Sequence, residues 1–98
     1  MNVIKLPAFT VTVWFRVNEE TPSLKTKLIE AAKAFPYQNF EYQGMEDMHW
    51  GAETDAEAKE ILERLKRFGS NANVVVLRLR GRDENFEPII YKDERHAL

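Results

Sequence analysis

From Phe9 to Val17 the chain alternates without a break. Phe9, Val11, Val13, Phe15 and Val17 fall on one side, and Thr10, Thr12, Trp14 and Arg16 on the other. A period of two with this many β-branched and aromatic residues predicts a strand with one buried face. The period then lengthens. Leu24, Leu28, Ala31, Ala32 and Phe35 recur at helical spacing behind Thr21-Pro22-Ser23. Thr21 suits an N-cap and Pro22 a first helical position. Pro36 pushes the residue before it out of the helical region, so a first helix is expected over Pro22 to Ala34.

The stretch from Tyr37 to Trp50 admits two readings. Phe40, Tyr42, Gly44, Met48 and Trp50 occupy even positions, with Asn39, Glu41, Gln43 and His49 between them. One long strand satisfies this pattern. A hairpin turning over Gly44-Met45-Glu46-Asp47, with the alternation carried through the loop, is the preferred reading, because Gly44 and Asp47 are turn residues.

The second helix is marked at both ends. Thr54-Asp55-Ala56-Glu57 has the form of a capping box, and Ala58, Ile61, Leu62, Leu65 and Phe68 make an apolar stripe. Glu60 with Arg64 and Glu63 with Arg67 are pairs in the favourable orientation, and Gly69 is placed to follow the last turn. Asn73 to Arg80 reads as a central strand with Val75, Leu77 and Leu79 inward and Val74, Val76, Arg78 and Arg80 outward. A turn over Gly81 to Asn85 leads to a short strand at Glu87 to Lys92, which Pro88 confines to an edge. Asp93 to Leu98 reads as a polar tail.

These elements predict a single α+β domain over residues 1–98, a two-layer sandwich with two helices on one face of a four- or five-stranded, mainly antiparallel sheet. With the hairpin the order is βαββαβ plus an edge strand, which resembles the ferredoxin-like fold. With a single strand over Tyr37 to Trp50 the order becomes βαβαββ. The resemblance implies that the first and last core strands are antiparallel neighbours. The uncovered face would then gather Trp14, Arg16, Val76, Arg78 and Arg80, with Arg78 over the Trp14 ring as a cation–π pair.

Composition narrows the chemistry. The 98 residues contain no cysteine, which removes disulfide scaffolds, thiolate metal sites and cysteine nucleophiles. Fourteen Lys+Arg against sixteen Asp+Glu leave a net charge of −2, too little for a general pull towards nucleic acid or an anionic membrane. The start of the chain lacks the basic and apolar regions of a secretory signal, and the apolar runs are far too short to span a bilayer. A cytoplasmic protein is expected, with no membrane partner and no cofactor.

Three functional readings follow. The first is a non-catalytic domain acting through Trp14, Arg16, Val76, Arg78 and Arg80, as a homodimer or with a protein partner. It draws on a resemblance to dimeric α/β-barrel proteins, which stack two ferredoxin-like sheets. Trp14 covered by the chain's own tail or last hairpin is the plain alternative. The second is single-stranded nucleic-acid binding on that face, as in RRM proteins, whose strand aromatics stack on bases. Arg80-Gly81-Arg82 lacks the aromatic of their motif, so nucleic acid is not the expected partner. The third is a metal-dependent enzyme using His49 with Asp47 and Glu53. Glu46 and Asp47 have an ordinary place in a turn, Asp55 at a helix start, and His49 in a strand. Ser23 and Ser70 have no histidine beside them in sequence. No base, nucleophile and orienting group can be assembled, so an enzyme is not expected. Arg78, Arg80 and Arg82 alternate and suit an anionic ligand, or a solvated face partly neutralised by Glu87 or Asp93. His96 could approach Trp14 if the tail folds back.

Overall fold

A computed structural model describes residues 7–81 and the strand at 86–91. Arg82, His96 and the tail at 93–98 lie outside the described residues. The elements run β1 (Phe9–Arg16), α1 (Thr21–Ala32), β2 (Gln38–Tyr42), β3 (Met45–Ala52), α2 (Asp55–Leu65), a 3-10 turn (Lys66–Ser70), β4 (Val74–Gly81) and β5 (Phe86–Tyr91). The sheet order is β2-β3-β1-β4-β5 and every described pairing is antiparallel. The first four strands and two helices have the βαββαβ order and strand arrangement of a ferredoxin-like sandwich, and β5 extends it at one edge. Among the described residues no helix is long and apolar enough to cross a membrane.

The alternation in β1 is realised as predicted. Val11, Val13 and Phe15 are buried beneath the helices with Leu24, Leu28 and Ala32 of α1 and Ala58, Ile61, Leu62 and Leu65 of α2. Met48 and Trp50 of β3 and Leu77 and Leu79 of β4 complete this core. In α2 the Thr54 hydroxyl accepts the Glu57 amide at 3.1 Å and donates to the Glu57 carboxylate at 2.9 Å. Glu60 pairs with Arg64 as expected, whereas Glu63 pairs with Lys66.

Several expectations are corrected. The βαβαββ order fails, because Tyr37 to Trp50 is a hairpin. Its loop has two residues, Gln43 and Gly44, at φ 51° and 76°. Two successive positive φ angles make a primed turn whose twist matches the strands it joins. Tyr42 therefore pairs with Met45, Phe40 with Asp47 and Gln38 with His49. Across an even-length loop, even positions of one strand oppose odd positions of the other. Phe40 and Tyr42 thus share a face with Asp47 and His49, while Met48 and Trp50 enter the core.

In β4 the register slips between Trp14 and Phe15, which pair with Val76 and Val74 respectively. Val75 is the extra residue of a bulge. Val74 rather than Val75 joins the core beneath the helices, and Val76 keeps its place on the outer face.

Helix α1 ends earlier than Pro36 alone requires. Lys33 turns left-handed at φ 59° and its amide caps Ile29 and Glu30. The Ala34 carbonyl is drawn off to accept the Trp50 indole N–H at 2.8 Å. Phe35 is consequently outside the helix and 82% exposed rather than part of the stripe. At the other end Thr21 lies inside the helix, its hydroxyl accepting the Asn18 amide at 2.8 Å. Gly69 does not turn left-handed after α2 but is buried within the 3-10 turn.

Candidate functional site on the open sheet face

Register alone lays out the face away from the helices. Reading from β2 towards β4, the first row is Tyr42, Met45 and Arg16, and the second is Phe40, Asp47, Trp14 and Val76. The third is Gln38, His49, Thr12 and Arg78, and the fourth Gly51, Thr10 and Arg80. All five residues of the predicted binding face are on it, spread over four rows. Trp14 is half-buried and Val76 is only 3% exposed, so the valine adds little accessible surface. Arg78 stands opposite Thr12, one row from Trp14.

The polar groups converge on the third and fourth rows. A concavity of about 480 Å³ opens there, lined by Thr10, Thr12, Tyr37, His49, Arg78 and Arg80 among others. Pro7 closes one end of it. A Cβ added at Gly51 would stand 2.7 Å from the Pro7 ring and 3.2 Å from Tyr37. Only a glycine at that point lets the incoming chain and the tyrosine lie against β3 together.

His49 is held from three sides. Its Nδ1 is 3.2 Å from the Thr12 hydroxyl. The Phe40 ring stacks on it with centroids 5.6 Å apart, and the Tyr37 ring meets it edge-on at 6.2 Å. Tyr37 is fixed in turn by its hydroxyl, 3.1 Å from that of Thr10. Nε2 of His49 is buried with no hydrogen-bond partner in the protein. Burial lowers the His49 pKa below its ordinary value; Asp47 acts against this and Arg78 adds to it. Burial also raises the Asp47 carboxyl, opposed by His49 and then Arg78. The imidazole is thus favoured in its neutral form, inside a rim of arginines and hydroxyls.

The proposed metal set comes apart. Asp47 and His49 do share a face of β3, but Glu53 lies beyond the end of the strand in an exposed loop. Among the described residues no group of three His, Asp and Glu side chains is placed to hold a metal ion. Glu46 points to the other face, where its carboxylate meets Lys25 at 2.6 Å and the Asn39 amide at 2.5 Å.

Sequence reasoning named His49, Arg78 and Arg80 but not Thr10, Thr12, Tyr37 or Phe40 as their neighbours. The signal for Phe40 was the even length of the loop, which sets even positions of one strand beside odd positions of the other. For Tyr37 there was none, since it precedes the regular strand.

Comparison of the chain with known protein families, curated proteins and solved structures finds no match.

Proposed function

We propose that this chain is a binding module that takes a small anionic ligand on the open face of its sheet. The ligand's carboxylate or phosphate sits between Arg78 and Arg80, and its remaining body lies over His49 and Tyr37. The convergence of two guanidinium groups, three hydroxyls and a neutral imidazole on one concavity of about 480 Å³ carries this reading. A guanidinium offers paired donors that match a carboxylate or phosphate. The hydroxyls of Thr10, Thr12 and Tyr37 can add neutral ones.

Charge distinguishes this partner from a second copy stacked sheet to sheet. Among the described residues the face carries Arg16, Arg78 and Arg80 against the single carboxylate of Asp47. Stacking two such faces opposes like charges, which favours an anionic partner. Exposed Phe40 and Tyr42, across the same face from the arginines, support one second reading, a single strand of nucleic acid with bases stacked on the rings.

Titration calorimetry with inorganic phosphate, benzoate, thymidine monophosphate and a ten-nucleotide thymidine strand tests both. At least one of the three small anions should bind, more weakly as salt rises. Arg78→Gln and Arg80→Gln should each weaken it roughly 10- to 100-fold, as loss of a charged hydrogen bond does. A strand that binds far more tightly than the mononucleotide favours the second reading. No heat with any of the four at millimolar concentration would remove both.

A further inference from the structure

We infer that the chain forms a two-fold symmetric dimer by pairing the outer edge of β2 with the same edge of a second copy, making one continuous sheet. The inference is independent of the ligand proposal, since it uses an edge of the sheet rather than its open face.

β2 is an edge strand, and all five of its residues are exposed. The large hydrophobic side chains exposed among the described residues are Phe35, Tyr37, Phe40 and Tyr42. All fall in the segment that leads into this strand or forms it. Long exposed edges invite pairing and are commonly blunted. The opposite edge of the sheet is β5, which holds Pro88 and so lacks one donor. β2, with the sequence Gln-Asn-Phe-Glu-Tyr, has neither proline nor lysine.

The register of such a pairing is self-complementary. In the two-residue hairpin Tyr42 and Met45 flank the turn and exchange their ladder bonds. Alternate residues of β2 therefore turn their N–H and C=O towards β3 or away from it. Asn39 and Glu41 are the residues whose backbone groups face outward. With Phe40 on the two-fold axis, Asn39 of each copy lies opposite Glu41 of the other. Four backbone hydrogen bonds then close the seam, and the two Phe40 rings meet on the open face in a close, non-bonded pair.

The charges agree with this register. On the helix side Asn39 accepts from Lys25 at 3.2 Å. Glu41 of the partner subunit would therefore arrive beside that lysine, twice over by symmetry, and share it with the Glu46 carboxylate already paired to it. On the open side Tyr42 of the partner subunit falls opposite Gln38, at the rim of the concavity.

Sedimentation equilibrium from about 10 μM to 1 mM, with amide hydrogen exchange across the same range, tests this. The mass should rise towards twice 11.5 kDa. Protection should grow with concentration at the Asn39 and Glu41 amides but not at Phe40. Glu41→Lys places a cation beside Lys25 of the partner subunit, and Glu41→Pro removes an outward donor. Each should return the protein to monomer while keeping the wild-type circular dichroism spectrum. The inference is overturned by a wild-type monomer at 1 mM, by a dimer that survives both substitutions, or by a dimer whose Asn39 and Glu41 amides gain no protection. Should either variant misfold, the exchange pattern of the wild type decides alone.

Discussion

Glu46 and Asp47 are neighbours in sequence and opposites in environment. Glu46 points under α1, 4% exposed, and is answered by Lys25 and Asn39. Asp47 points to the open face among His49, Arg78 and Trp14, and its carboxyl is pushed upward by burial. The same contrast runs along the whole sheet. On the covered side each buried group is matched to a partner or packed in hydrocarbon. On the open side His49 keeps a buried nitrogen with no protein partner, two arginines rim a hollow, and aromatic rings face outward. A buried nitrogen without a protein partner and outward-facing rings on one face distinguish a surface shaped for a partner from one shaped for folding.

The sharpest test of this contrast is to remove packing from the covered side alone. Phe15→Ala should cost about 3–5 kcal/mol, read by urea unfolding, because its ring is fully buried in the core. A loss below about 1 kcal/mol would mean that the helix layer does not carry stability in the way described.

A smaller effect is expected from breaking the covered ion pair. Lys25→Met leaves the Glu46 carboxylate nearly sealed without its cation, although Lys25 is itself one-third exposed. A loss of about 1–3 kcal/mol is expected. Adding Glu46→Leu should restore most of it, and a double variant no more stable than the single one would contradict the coupling.

The smallest effect lies on the open side and appears as a pH dependence. The folded pKa of His49 is lowered from 6.5, so its neutral form is favoured on folding. Stability from this group is complete above pH 6.5 and is lost as the pH falls through the lowered folded value. Asp47 has the opposite sign. Its folded pKa is raised from 3.8, so its penalty holds above the folded value and fades as the pH falls towards 3.8. Between pH 7.5 and 5.5 the histidine should make the wild type lose stability, and His49→Gln should show a flatter curve. Equal slopes in calorimetry would show that the imidazole is not held as the structure has it.

Much of the scaffold was legible because it rests on periodicity. β1 alternates through eight residues and α2 carries its cap in its first four, so local signal and tertiary environment agree. Legibility failed where a local irregularity decides the face. Val74, Val75 and Val76 are identical in type, so no contrast among them reveals the bulge. Gln43 is an uncommon residue for a left-handed position, and it hides a turn that asparagine would have announced. Phe35 has helical spacing, but a long-range bond from Trp50 to Ala34 takes the backbone elsewhere. The site was half legible for the same reason. Its arginines and histidine stand on strands with clear alternation, whereas Phe40 joins them only once the alternation is reversed across an even-length loop.

That loop makes surface identity a matter of counting. Two residues between β2 and β3 set Phe40 and Tyr42 outward and Asn39 and Glu41 towards the helices. One residue deleted there, with β3 held in place and a two-residue turn kept, would exchange the two sets at a stroke. The rings would be carried towards the Glu46 ion pair, and the polar pair would be brought out beside His49. No substitution in the strand itself would be required. A single-codon deletion at Gln43-Gly44 could therefore erase one surface and create another, a discontinuous step available to this chain that point replacement cannot take.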